Sequence, residues 1–190
     1  SMSEADDTYG TGGIVGSNKK TINCCVNKGT ISGIGGSGTY VGGIAGYNVV
    51  DDSSISNSYN LAAVTGKGFV GGIVGNLWNG SVTNCYNTAD VTSTGRVTTK
   101  ASIAGAIVGS QAYGTTITNC HYLSTITLKK DNAATTLVGV GSGKSETNTY
   151  SRSADVFKSG IVARLLNGGD GTTEQPLGTW GQKLGTDNYP

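Results

Sequence analysis

Proline, histidine and methionine are nearly missing from this sequence of 190 residues, which has 2, 1 and 1 of them. Long apolar runs are missing as well. The longest, such as Ile103 to Val108, fall far short of the roughly 20 residues of a bilayer-spanning helix, so no direct membrane insertion is expected. An excess of one charge is also lacking: 13 basic and 12 acidic residues leave a net charge of +1. So even a balance offers no field to gather phosphates, and nucleic acid is not expected as a partner. With His121 the only histidine, any Ser-His-Asp chemistry would have to use that residue as its base. What is plentiful is glycine, at 32 residues, without the strict third-residue spacing of collagen. A hydrophobic fraction of 36% is enough for a buried core.

The glycines recur in a pattern. Gly12-Gly13-Ile14-Val15-Gly16 returns as Gly42-Gly43-Ile44-Ala45-Gly46, as Gly71-Gly72-Ile73-Val74-Gly75 and, drifted, as Gly105-Ala106-Ile107-Val108-Gly109. A period of about thirty residues marks a solenoid. A second block aligns without gaps over Ile22 to Ile31, Ile55 to Val64, Val82 to Val91 and Ile117 to Ile126. Its columns keep one character: Cys25, Ser58, Cys85 and Cys120, then Asn27, Asn60 and Asn87 with Tyr122 breaking the run. Outward polar rows follow, Asn23, Ser56, Thr83, Thr118 and Ser32, Thr65, Thr92, Thr127.

These features predict an all-β fold, a right-handed parallel β-helix (β-solenoid) of about four coils with three short strands per coil. The handedness follows the usual crossover rule for parallel strands. The glycine pair is expected at a corner, where a missing Cβ permits close backbone approach and unusual dihedrals. The Asn27 column is expected to supply left-handed corners and side-chain hydrogen bonds between coils. Three segments result: a tail over 1–9 that opens with a tag remnant, Ser1-Met2, the solenoid over 10–145, and a C-terminal cap over 146–190. In the cap, "SADVFKSGIVARLLNGG" reads as one amphipathic helix, N-capped by Ser153, interrupted only by Gly160 and stopped at Gly168-Gly169. Its expected task is to cover the open last coil.

The stretch "GGIVGNLWNGSVTNCYNTADV", Gly71 to Val91, resembles the GLUG motif of bacterial surface proteins, a repeat also carried by immunoglobulin A-specific metallopeptidases. The resemblance covers roughly residues 10 to 128 and departs most in the fourth repeat, at Ala106 and His121-Tyr122. The closing "TWGQKLGTDNYP" is similar to a segment that follows such repeats in surface proteins of gut bacteria. The resemblance implies an exported piece of a larger extracellular protein at the bacterial cell surface. The peptidases of that group owe their chemistry to a separate zinc domain, and with one histidine no His-Glu-x-x-His signature exists here.

The chain is therefore expected to be non-enzymatic, monomeric and without a cofactor, acting as an adhesin-like binding surface, a spacer, or both. An alternative is an ancillary, substrate-targeting domain of a secreted peptidase or polysaccharide-degrading enzyme. Tyr47, Trp78 and Tyr113 follow the first glycine block and are the candidate ligand-binding aromatics, offering rings to a host glycan or an extracellular protein. Asp51, Asp52, Asp90, Glu146, Asp155, Glu174 and Asp187 form no acidic pair of the kind glycoside hydrolysis needs, so no catalytic residue is assigned. A self-contained lyase or hydrolase would need the inserts Thr92 to Ser102 and Thr127 to Thr136 to converge with Lys100, Lys129 and Lys130. The four cysteines are expected to be free and mostly buried, although a Cys85–Cys120 bridge is within reach one coil apart. Cys120-His121 is not expected to bind metal, because strand neighbours face opposite ways.

Overall fold

Each repeat breaks its apolar segments at residues that must bend, and this sets the strand count. A computed structural model of the chain describes residues 10–33, 40–97, 101–143, 148–170 and 178–190. The predicted tail 1–9, Lys100, Glu146 and Glu174 lie outside them. In the third coil the first segment bends at Gly72-Ile73 into Phe69–Gly71 and Val74–Leu77, and the second bends at Asn84-Cys85 into Ser81–Thr83 and Tyr86–Asn87. With Val91–Ser93 the coil has five short strands, not the expected three.

Stacking the coils in parallel register produces five sheets. The first contains Gly10–Gly12, Tyr40–Gly42, Phe69–Gly71 and Ile103–Gly105. The second contains Val15–Asn18, Ala45–Asn48, Val74–Leu77, Val108–Gln111 and Val140–Ser142. The third has Thr21–Asn23, Ser54–Ser56, Ser81–Thr83 and Thr116–Thr118. The fourth has Val26–Asn27, Tyr59–Asn60, Tyr86–Asn87, Cys120–Leu123 and Thr149–Arg152. Ile31–Gly33, Val64–Gly66, Val91–Ser93 and Leu128–Lys130 make the fifth, which Ala133–Ala134 joins antiparallel. Inside the tube, Ile44, Ile55, Ile73, Val82, Leu77 and Ile107 are wholly buried.

The glycines act through space, not through unusual dihedrals. A Cβ on Gly71 would lie 2.0 Å from the Val74 carbonyl oxygen, and one on Gly72 2.1 Å from that of Ala106, while neither has a positive φ. Left-handed backbone occurs instead at Cys24, Asn57, Asn84 and Asn119, with φ of 55°, 47°, 51° and 51°. The two roles expected of the Asn27 column are thus divided between two columns. Asn27, Asn60 and Asn87 lie in strands and form a buried ladder, Asn27 Nδ2 donating to Asn60 Oδ1 at 2.7 Å and Asn60 Nδ2 to Asn87 Oδ1 at 2.8 Å. Asparagine suits the corner column because its short polar side chain tolerates that conformation, and Asn119 Nδ2 there donates to Asn84 Oδ1 at 2.8 Å.

The fourth repeat slips at its end. Val91 pairs with Leu128, not Ile126, and Thr92 with Lys129, not Thr127. The slip follows Tyr122, which stands where the asparagine ladder would have continued, so the turn held by Asn87 through Ala89 has no counterpart there. Val140–Ser142 and Thr149–Arg152 then add a partial fifth coil, which carries the stack past residue 145 to Arg152.

The C-terminal segment forms two helices, α1 (Ala154–Lys158) and α2 (Ile161–Leu166), not one. Gly160 at φ 80° takes a left-handed turn that divides them. Ser153 caps α1 by accepting from Val156 N–H, as expected. Gly168, at φ 87°, ends α2 as expected, its N–H donating to Leu165 O and that of Gly169 to Arg164 O.

This segment lies along the flank of the solenoid, which corrects the expectation of a lid over the last coil. On either side of Tyr86, Cys85 in the bend and Asn87 in the fourth sheet point inward, which turns Tyr86 outward with Tyr59 and His121 in the same column. Such an aromatic row needs cover. Tyr59 and Tyr86 stack at 4.7 Å, Trp180 packs on both at 5.6 and 5.3 Å, and Phe157 meets Tyr86 at 5.7 Å. The Tyr86 hydroxyl donates to Pro190 O at 2.7 Å, and Asn119 Nδ2 to Leu165 O at 2.7 Å. The segment is a strap that ties the second, third and fourth coils together.

Asn60 is wholly buried and sits mid-ladder, so Asn60→Ala takes the acceptor from Asn27 Nδ2 and leaves Asn87 Oδ1 with only the Ala89 N–H. Urea unfolding is expected to show a loss of about 2–4 kcal/mol for that variant.

Candidate functional site

The three candidate aromatics do not form one row. Tyr47 lies in a strand in register with Asn76, exposes only 8% of its surface and packs its ring on Tyr40 at 4.8 Å. Burial and the neighbouring Tyr40 push its phenol above the usual range. Tyr47 therefore belongs to the packing of the second sheet and offers no ring to a ligand. Trp78 and Tyr113 are exposed, by 54% and 92%, and both lie in connectors between the second and third sheets.

Those connectors differ in length. They hold residues 19–20, 49–53, 78–80 and 112–115 in successive coils, hence 2, 5, 3 and 4 residues. The third coil is shorter here than both of its neighbours, so it forms the floor of a trough walled by the second and fourth. The trough has a volume of about 460 Å³ and is lined by Asp51 on one side, Asn79, Gly80 and Ser81 below, and Tyr113 to Thr116 on the other.

Buried amides fix the floor. Asn18 Nδ2 donates to Asn48 Oδ1 at 2.7 Å, and Asn48 Nδ2 donates onward to Asn79 O at 2.7 Å. Asn79 Nδ2 in turn donates to Val49 O at 2.8 Å. Gly80 is needed because its φ is 76° and a Cβ there would lie 1.9 Å from Ser53 O. The far wall is braced by Thr115 Oγ1, which donates to Ala112 O at 2.8 Å. Asp51, Asn79, Ser81 and Thr116 were missed as site residues, although the signal was in the sequence. The gaps from Gly46 to Ile55, Gly75 to Val82 and Gly109 to Ile117 shrink and grow again.

The other candidates are dispersed. Asp51 and Asp52 are exposed in a turn, Asp90 accepts from Thr127 N–H, and Asp187 accepts from Lys183 N–H. Lys129 and Lys130 lie in the fifth sheet, between Val91–Ser93 and Ala133–Ala134. Among the described residues, no three His, Cys, Asp or Glu side chains gather to hold a cation. All four cysteines are free, but only Cys85 and Cys120 are buried; Cys25 is half-buried and Cys24 exposed, which corrects the expectation of a mostly buried set. Burial pushes the Cys85 thiol well up, and its neighbour Cys120 adds to the effect. No helix among the described residues is long and apolar enough to cross a membrane.

His121 replaces tyrosine in the outward column, as its alignment with Tyr59 and Tyr86 implied. It is wholly buried, stacks on Tyr150 at 5.3 Å, and receives Arg152 Nε–H on Nδ1 at 3.3 Å. Its Nε2 lies 2.9 Å from Asn119 Oδ1, which fits a neutral ring protonated at Nε2. Burial, and then the Arg152 guanidinium, push its pKa down to about 4.

The comparisons with known proteins agree with this geometry. Residues 70–92 match the GLUG motif. The GLUG match covers the third coil from Val70 through Thr92, including the floor of the trough. No curated protein matches the chain. A crystal structure from Bacteroides ovatus, described as a "putative immunoglobulin A1 protease", superimposes with a TM-score of 0.58 at 24% identity. The superposition covers 84% of this chain and 49% of that one, so this chain spans about half the length of its structural neighbour. At that identity the likeness shows the shared fold alone, a β-solenoid.

A pH test follows from His121. In the unfolded chain its imidazole takes a proton near pH 6.5, in the folded chain only near 4, so stability is full above about 6.5 and falls as the pH drops through that window. Between pH 7.5 and 5.0 the parent chain is expected to lose roughly 2 kcal/mol in urea unfolding that a His121→Gln variant does not lose.

Proposed function

We propose that this chain is a non-enzymatic binding module of an extracellular bacterial surface protein, adhesin-like and acting as a monomer. It engages a host glycan or an extracellular protein at the corner between the second and third sheets. The observation that carries this reading is the exposure of Trp78 and Tyr113 at that one corner, while most other large apolar side chains are packed into the tube or under the strap. Exposed aromatics on a rigid scaffold are the usual anchors of recognition, because they supply contact area at little entropic cost. The scaffold is rigid here because both flanking strands of every connector are locked in parallel register.

A second reading has its own support. The likeness to the Bacteroides ovatus chain favours a targeting domain that holds a secreted peptidase near its substrate. Both readings require binding at the corner and differ in what the rest of the protein does with it.

The test is binding of the chain to a panel of glycans, mucins and matrix proteins, with Trp78→Ala and Tyr113→Ala run beside it. Saturable binding that weakens at least tenfold in either variant is expected. Binding that neither variant changes, or no binding by well-folded protein, contradicts the proposal.

A further inference from the structure

The corner trough is specific enough to name a class of ligand, and this step rests on the binding role proposed above. Its walls belong to coils two strand spacings apart, roughly 10 Å, so the floor admits one ring-sized group between them. A polypeptide surface would meet the rims and leave the floor empty.

The lining is chemically one-sided. Among the described residues that line it, Asp51 is the only charged one, and no lysine, arginine or histidine contributes. A carboxylate accepts hydrogen bonds and cannot donate them. Asn79 already spends an amide hydrogen on Val49 O, and its Oδ1 adds an acceptor to the lining residues. Ser81 and Thr116 bring hydroxyls that both donate and accept, and Tyr113 brings an exposed ring to the opposite wall. A ligand suited to this set carries several hydroxyls, apolar C–H faces for the tyrosine ring and no negative charge. Phosphate, sulfate and carboxylate groups would face Asp51 with no cation to balance them.

We infer that the trough is a subsite for a neutral sugar ring. Asp51 and Asn79 accept from its hydroxyls, Ser81 and Thr116 exchange hydrogen bonds with them, and Tyr113 stacks on its apolar face. The subsite is preorganised, because Gly80 and the buried Asn18–Asn48 pair hold the floor without a ligand. A shallow single-ring site of this kind binds weakly, with a Kd on the order of 0.1–1 mM, and gains strength through repeated presentation.

The experiment is an NMR titration of the 15N-labelled chain with neutral disaccharides ending in glucose, galactose, mannose or N-acetylglucosamine, with sialyllactose set against lactose. The expected result is saturable shifts of the Gly80, Ser81, Gly114 and Thr116 amides with at least one neutral sugar. Sialyllactose should produce them more weakly than lactose. Asp51→Ala and Tyr113→Ala, both exposed substitutions, should each weaken binding about tenfold or more, with thermal unfolding run to show that the fold is kept. Shifts confined to other residues, equal or tighter binding of an anionic sugar, or variants that bind like the parent overturn the inference. If no sugar moves these amides while the panel still finds a protein ligand lost on Trp78→Ala, the sugar subsite fails and the binding role stands. If both experiments are silent, both fail.

Discussion

The contact on which this structure depends is backbone against backbone between the first and second sheets. At Gly42, Gly71 and Gly105 an added Cβ would lie 2.0 Å from the carbonyl oxygen three residues on, and at Gly75 it would lie 2.4 Å from the amide nitrogen of Val41 in the neighbouring coil. No side chain fits there. The two sheets fold tightly against each other, and each coil must repeat these glycines to stack on the one before. Glycine weakens a lone strand by roughly 0.5–1 kcal/mol, but here it is the condition for stacking at all.

From that constraint the rest follows in order. A narrow tube needs sharp corners, and the left-handed column at Cys24, Asn57, Asn84 and Asn119 supplies one per coil. Sharp corners bring inward amides close to their counterparts one coil away, and the Asn27–Asn60–Asn87 ladder satisfies them. Parallel register also lines up what points outward, so Tyr59, Tyr86 and His121 form a row whose tyrosines the C-terminal strap covers. The connectors between the second and third sheets are freer. The repeat sets where they begin and end but not how many residues lie between, so they vary in length from coil to coil, and that variation makes the trough.

Much of this was legible in the sequence, and the failures have physical causes. The glycine columns, the buried position of Cys85 and Cys120, the asparagine ladder and the Ser153 cap could be read because each is a fixed offset inside a repeat. The bends at Gly72-Ile73 and Asn84-Cys85 were hidden because an apolar run through a bend looks like a single strand. Counting from the glycine misplaces Tyr47, because it ignores the alternation that packs the ring beside Tyr40. The repeat pattern points to Ile126 where Leu128 pairs with Val91, because a two-residue slip keeps the inward face and so leaves the hydrophobic pattern intact. The strap reads as an amphipathic helix and a tail, and nothing local in it says whether the end or the flank of the solenoid is its partner. That information lay elsewhere, in the aromatic column it covers.

The most direct test of this account is thermal unfolding of Gly71→Ala beside Gly181→Ala. The added methyl at Gly71 has no space, whereas at Gly181 it meets nothing within 4 Å. The account predicts that Gly181→Ala melts with the parent chain and that Gly71→Ala fails to fold or melts far below it. Equal melting of all three would contradict the claim that backbone contact at the glycines holds the coils together.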